Sequence, residues 1–281
     1  MTRPIFTGRD ASYFLERLAL EPAVLVRVEA TQGSVPREVG AWMAVFASGE
    51  LAGTVGGGHL EWQAQQWAAE ALSLGVQPGW QEVRRFALGP SLGQCCGGVV
   101  HLRAQRVDAA DVTTLRGALC TNGHPVALFG GGHVGRALVA ALAPLPFALR
   151  WIDSRDEVFP QTLPDNVEVE HSDPVQAAVA DLATGSLVLI MSFSHAEDLD
   201  IVDACLQRQA KRGDLPFVGL IGSRSKWAAF RHRLEARGHG PQALEHVTCP
   251  IGMPGIVGKQ PEVIAASVAA QLLMQLERLR V

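Results

Sequence analysis

Residues 126–153 hold the pattern that most restricts what this chain can become. A short apolar run, Val126 to Phe129, meets Gly130-Gly131-Gly132-His133-Val134-Gly135; an apolar segment with helical character and a second run, Phe147 to Ile152, then lead to the acid Asp153. G-x-G-x-x-G that follows a strand and opens a helix, with a carboxylate about 20 residues on, is the βαβ arrangement of dinucleotide-binding folds. Further apolar runs at Val167 to Glu170, Leu187 to Met191 and Phe217 to Ile221 alternate with helical segments. That alternation predicts a parallel sheet with helices on both faces. A last helix over Glu262 to Leu279, with Ile264, Val268, Leu272, Leu276 and Leu279 on one face, is expected to pack on it.

The first part of the chain has a different grammar. A helix is expected over Asp10 to Leu20, with Phe14, Leu15 and Leu18 on one face and Pro22 as its stop. Strands are expected at 23–29, 41–47 and 51–55, a helix from His59 to Ser73, strands at 80–87 and 98–107, and a connecting helix at 108–119. Leu60, Ala64, Trp67, Ala68 and Ala71 form the apolar stripe of the helix beginning at His59. Thr121-Asn122-Gly123-His124-Pro125 is the strongest boundary signal. The expected fold is therefore α/β: a smaller N-terminal α+β domain (1–122) and a C-terminal Rossmann-like parallel sheet (123–281).

Composition removes several functions. Twenty-four Lys and Arg against 28 Asp and Glu give a net charge of −4, the opposite of a phosphate-neutralising footprint, so no nucleic acid is expected. The most apolar stretch, Ala137 to Leu149, is short and contains Pro144 and Pro146, so no membrane span is expected; the charged N-terminus does not read as a signal peptide. Five cysteines, none in C-x-x-C spacing, read as thiols in the cytoplasm rather than as a disulfide framework.

Two glycine loops and one thiol loop carry the candidate chemistry. Gly130, Gly131, Gly132 and Gly135, with His133 at the helix start, allow a tight turn and expose N–H groups to an anion; the same glycines would also serve simply to let helix and sheet approach. Asp153 is the candidate ribose-binding carboxylate. A second strand–glycine–helix junction, Gly56-Gly57-Gly58-His59, reads either as a turn or as a ligand loop, with His59 as a donor or ligand. Cys95-Cys96-Gly97-Gly98 is the most reactive-looking segment, because a thiol among glycines is open to a ligand and to soft metals. Cys120, Cys205 and Cys249 read as small buried hydrophobes. His195, after the fourth strand of the parallel sheet, is a candidate to lie near a bound ligand; Arg224 and Lys226, after the fifth, read equally as contacts for an anion or as a solvated basic helix start; and the polar loop Thr31 to Glu38 is the candidate lid. There is no P-loop, no H-E-x-x-H and no G-x-S-x-G. The one tyrosine, Tyr13, lies far from the glycine loop, which removes the Tyr-x-x-x-Lys chemistry of short-chain dehydrogenases.

In order along the chain, Gly33-Ser34-Val35-Pro36-Arg37, Gly53-Thr54-Val55-Gly56-Gly57-Gly58, Cys96-Gly97-Gly98, Phe129 to Gly135, Asp153-Ser154-Arg155, Gly219 to Arg224 and Cys249-Pro250-Ile251-Gly252 resemble the XdhC/CoxI family over nearly the whole length. The resemblance implies an accessory protein rather than a turnover enzyme. It implies a chaperone that holds the molybdenum cofactor (molybdopterin) as cargo, works with a cysteine desulfurase in its sulfuration, and delivers it to apo-xanthine dehydrogenase. CoxI-type members often carry cysteine where this chain has His59, which leaves the metal-facing role to Cys96 or Cys95, or to no cysteine at all. An interdomain cleft would keep solvent from the cargo, and a homodimer is the default assembly. The competing expectation from the glycine motif and Asp153 is an NAD(P)-dependent oxidoreductase.

Overall fold

The computed structural model describes residues 8–89, 97–119 and 123–280, and the chain divides into two compact units, Met1–Thr121 and Asn122–Val281.

The first unit contains α1 (Gly8–Leu18), β1 (Ala23–Gln32), β2 (Trp42–Phe46), β3 (Leu51–Gly53), α2 (Gly58–Ser73), β4 (Gln81–Ala87), β5 (Val99–Val107) and α3 (Val112–Leu119). Its strands form one antiparallel sheet in the order β3-β2-β1-β5-β4. Alternation along β1 and β5 sorts their side chains to two faces. Val24, Val26, Val100 and Leu102 meet Leu60, Ala64, Trp67 and Ala68 of α2, which is the stripe expected from sequence. Leu25, Trp42 and Phe46 meet Phe14, Leu15 and Leu18 of α1 and Leu115 and Leu119 of α3. Each such side chain taken from water stabilises the unit by about 1.5–3 kcal/mol. Strand β1 runs further than expected: Thr31 and Gln32 pair with Val100 and Val99, so the loop begins at Gly33.

The second unit contains β6 (His124–Phe129), α4 (His133–Leu142), β7 (Phe147–Asp153), β8 (Val167–His171), β9 (Leu187–Ile190), α5 (His195–Arg212), β10 (Phe217–Leu220), α6 (Arg224–Ala236), α7 (Pro241–Leu244), β11 (Val247–Thr248) and α8 (Pro261–Arg280). All six strands are parallel, in the order β11-β10-β9-β6-β7-β8. Renumbered within the unit, this is the 3-2-1-4-5-6 order of dinucleotide-binding sheets, with the reversal between β6 and β9. The sixth strand, β11, is two residues long and was not expected from sequence. The strands β6, β9 and β10 are buried on both faces, which explains their unbroken apolar sequences. Leu138 and Leu142 of α4 and Val268, Leu272 and Leu276 of α8 cover one face, whereas Leu199, Val202 and Leu206 of α5 and Phe230 and Leu234 of α6 cover the other. Leu279, expected on the packed stripe of α8, is instead 48% exposed. Among the described residues, no helix is long and apolar enough to cross a membrane.

Candidate functional site

In the first unit, three of the sequence motifs meet. The loop 33–38 lies between the glycine junction after β3 and the end of the β4–β5 hairpin. A Cβ on Gly98 would stand 2.3 Å from the carbonyl oxygen of Ser34, 2.6 Å from that of Gln32 and 2.9 Å from Cγ1 of Val35. On the other side Gly56, at φ +127°, packs so closely that a Cβ would lie 2.6 Å from the Pro36 ring. Only glycine permits both approaches. Val35 reaches down to the core under α2, so the loop is anchored as well as flanked. The Leu88 N–H donates to the carbonyl of Gly98 at 2.8 Å and closes the hairpin base. Cys95 and Cys96, the candidate metal ligands, and Cys120 lie outside the described residues; Gly97 is exposed, with open space where a Cβ would stand.

The Gly56–Gly58 junction is partly occupied from within. The carboxylate of Glu61, one turn into α2, accepts the N–H groups of Val55 and Gly57, each at 3.1 Å, and the hydroxyl of Thr54. Sequence reasoning missed Glu61. The signal was available in its position beyond the glycines at a helix start, where a carboxylate satisfies orphan N–H groups and the helix dipole. Gly58 and His59 remain exposed, and the His59 ring lies 5.3 Å from that of Trp62, which is itself 54% exposed. Arg37 and Glu38 pair in the loop at 3.3 Å. Burial pushes the Glu38 carboxyl upward, but its backbone hydrogen bond and Arg37 outweigh this and hold it below the usual range.

In the second unit the glycine loop sits at the carboxyl end of β6, beside the strand-order reversal. Gly130 lies against β9: a Cβ there would be 2.1 Å from the carbonyl oxygen of Met191. Gly135 lets α4 close on the loop, since its Cβ would fall 2.0 Å from the oxygen of Gly130. The Trp151 indole N–H donates to that same oxygen at 2.9 Å and fixes the turn. Gly132 and His133 are exposed at the start of α4.

Asp153, expected to face a ribose, is engaged elsewhere. Its side chain is buried; Oδ2 accepts the Gly131 N–H at 2.6 Å and Arg155 Nη2 at 3.0 Å, while Oδ1 accepts the N–H and Nε of Arg155, both at 2.9 Å. Burial raises its carboxyl pKa, but Arg155 and the Gly131 N–H outweigh this and leave it lowered. Arg155 in turn stacks 4.4 Å from the ring centroid of Phe193, which is 67% exposed at the end of β9. Sequence reasoning gave no role to Phe193.

Lys226, read either as a contact for an anion or as a solvated basic helix start, is engaged within the chain. Its Nζ is tied to Asp198 Oδ2 at 2.6 Å and to the carbonyl of Ile221 at 2.9 Å, while Oδ1 of Asp198 accepts the N–H and hydroxyl of Ser192, both at 2.8 Å. This buried pair fastens α5, α6 and the ends of β9 and β10, and its charge is spent there. Arg224 and His195 are exposed near the ends of β10 and β9, with the His195 ring edge-on to Phe230. Cys205 is fully buried and its thiol is pushed up to about 12; Cys249 is half-buried and pushed up to about 11, in each case by burial. Neither is a thiolate at neutral pH. Among the described residues, no group of three or more His, Cys, Asp or Glu is placed to hold a metal ion.

A parallel six-stranded unit with a glycine loop at its order reversal and an antiparallel unit in which three motif loops converge define a two-unit α/β protein of dinucleotide-fold type. The XdhC Rossmann domain model matches residues 126–272, and the model of the XdhC and CoxI family matches residues 17–86. The chain belongs to the XdhC/CoxI family. YqeB of Escherichia coli (strain K12) is 28% identical over 268 residues, 92% of this chain; the chain spans about half of that relative, 45% of its length. A crystal structure from Bacillus halodurans, described as a xanthine dehydrogenase, resembles it over 96% of both chains with a TM-score of 0.74 at 19% identity, a likeness of fold.

Proposed function

We propose that the chain is an accessory factor in the maturation of xanthine dehydrogenase, and that it does this as a carrier of the molybdenum cofactor. Family membership supports the accessory role. The observation that carries the finer reading is the convergence of loop 33–38, the Gly56–Gly58 junction and Gly98, which stands two residues beyond Cys96 in the chain. Molybdopterin combines a phosphate, a flat hydrogen-bonding pterin and a soft, oxygen-sensitive metal–dithiolene end. In this reading Cys96 or Cys95 meets the metal end, because a thiolate is the soft ligand available. The exposed N–H ends at Gly58 and His59 receive the polar end of the cargo. Loop 33–38 covers the ligand, excludes water and yields on transfer.

Carrier work needs affinity without turnover. The sulfido-for-oxo exchange takes place with a cysteine desulfurase while this chain holds the cargo, and the product passes to apo-xanthine dehydrogenase. Such work belongs in the cytoplasm, where thiols stay reduced. The test is anaerobic activation of apo-xanthine dehydrogenase by loaded protein. Activation by wild type, lost in the Cys95→Ala/Cys96→Ala variant, supports the reading; equal activation by free cofactor alone contradicts it.

A second reading, an NAD(P)-dependent oxidoreductase, is favoured by the strand order and glycine loop of the second unit. Against it, the Asp153 carboxylate that would hold a ribose is already bound by Arg155 and Gly131. Titration with NADH, followed by its fluorescence, separates the two: saturable binding with hydride transfer to a carbonyl substrate would establish the enzyme.

A further inference from the structure

The edge strand β4 is unlike the other edges of the two sheets. It is seven residues long, pairs among the described residues only with β5, and keeps an unbroken register from Gln81 opposite Gln105 to Ala87 opposite Val99. The remaining edges are short or acidic: β3 has three residues, β11 has two, and β8 carries Glu168 and Glu170. Natural edge strands are usually blunted by proline, lysine or a bulge to stop them pairing with another chain. The β4 sequence, QEVRRFA, contains neither proline nor lysine, and its pairing shows no bulge; its charges, Glu82, Arg84 and Arg85, are of both signs, so unlike the two acids of β8 they can find opposite partners on a second strand of the same sequence.

The direction of its free hydrogen-bonding groups follows from the ladder. The Arg106 N–H donates to the carbonyl of Trp80, and the Leu88 N–H to that of Gly98. In an antiparallel pair such bonds recur at every second residue. Residues 80, 82, 84, 86 and 88 therefore face β5, and the N–H and C=O groups of Gln81, Val83, Arg85 and Ala87 point outward from the sheet.

We infer that β4 pairs with β4 of a second copy of this chain, antiparallel about a two-fold axis through Val83, joining the two five-stranded sheets into one. Two-fold symmetry demands that facing residues sum to twice the central position, so outward-pointing residues face one another whichever residue is the centre; centring on Glu82 or Arg84 would set two like charges opposite each other at a closely spaced, non-hydrogen-bonded position. Centring on Arg85 would set two arginines opposite each other. Centring on Val83 sets valine against valine, Gln81 against Arg85 of the partner, and Glu82 against Arg84 of the partner, twice. This last pair falls at a non-hydrogen-bonded position, where facing side chains lie closest. Both groups are already held for it. Arg84 bonds Glu82 within one chain at 2.8 Å and stacks over the Trp67 ring at 4.6 Å, so pairing converts two separate ion pairs into a four-charge alternating cluster. The inference is independent of what the motif loops carry.

Light scattering behind size exclusion, run on the full chain across a dilution series, reads the assembly, and hydrogen exchange reads the edge. The expected result is a dimer whose Val83 and Arg85 amides lose protection on dilution. Arg84→Glu should weaken dimerisation by about tenfold or more through like-charge contact, and so should Glu82→Arg, while the double swap E82R/R84E should restore it. Val83→Pro is the second probe: its N–H points away from β5, so the fold should keep its circular dichroism spectrum while the dimer is lost. A wild-type chain that is monomeric at every concentration overturns the inference. So does a dimer that survives Val83→Pro and Arg84→Glu unchanged.

Discussion

Gly97 and Gly98 are neighbours in sequence and opposites in packing, and substituting each by alanine tests the convergence of loops on which the candidate site depends. At Gly97 a Cβ meets nothing within 4 Å. At Gly98 it meets two backbone carbonyl oxygens, of Ser34 at 2.3 Å and Gln32 at 2.6 Å. Neither oxygen is the tip of a flexible side chain, so the hairpin base and loop 33–38 must separate by roughly 1 Å to restore ordinary contact. Overpacking of this kind costs about 1–3 kcal/mol. For a unit of this size that lowers Tm by roughly 4–12 °C, whereas Gly97→Ala should lie within about 2 °C of wild type. Differential scanning fluorimetry reads the stability, and retention of molybdopterin under anaerobic gel filtration reads the site. Gly98→Ala should lose cargo more than Gly97→Ala does. If the two variants melt together and bind alike, the hairpin base does not press on loop 33–38, and the site as described is wrong.

Three further outcomes are expected. Asp153→Asn removes the charge that binds Arg155 and Gly131 and should destabilise the second unit by about 2–3 kcal/mol, read by denaturant titration. The folded pKa of Asp153 is lowered, so its contribution is present above the ordinary carboxylate value of 3.8 and is lost as pH falls through the lower folded value; the variant should show a flatter acid limb than wild type. Arg208, with a side chain 5% exposed, binds Asp214 through two hydrogen bonds and the carbonyls of Val179 and Leu182 at 2.7 and 2.8 Å, so Arg208→Met should cost about 3–5 kcal/mol by leaving Asp214 without its partner. Glu61→Gln keeps the size but not the charge of the acceptor at Gly57, and should cost about 1–2 kcal/mol in the melting of the first unit.

Where burial alone decides placement, the amino-acid pattern was enough. The five apolar positions of α2, the Phe14–Leu15–Leu18 face of α1, the parallel strands and the glycine turn after β6 all follow from periodicity or from strand–turn–helix context, and they stand where expected. What the pattern hid are partners distant in sequence. Thr31 and Gln32 look like loop residues until Val100 and Val99 pair with them, and β11 is too short to carry a period. The bond of Lys226 to Asp198, 28 residues earlier, and that of Asp153 to the Gly131 N–H are likewise invisible locally, so neither internal partner could be read from the sequence. Charged groups near glycine loops are thus the least legible class, since the loop N–H groups donate to a carboxylate from the chain as readily as to one from a ligand.

Anaerobic equilibrium binding of molybdopterin to the purified full chain, with molybdenum and pterin quantified separately in the protein fraction, addresses the carrier role most directly. Molybdenum and pterin should co-elute with the protein in equal amounts, fall away in the Cys95→Ala/Cys96→Ala variant, and leave wild type when apo-xanthine dehydrogenase is added. Protein that emerges free of both, or that retains them equally without its cysteines and never releases them to the acceptor, would contradict it.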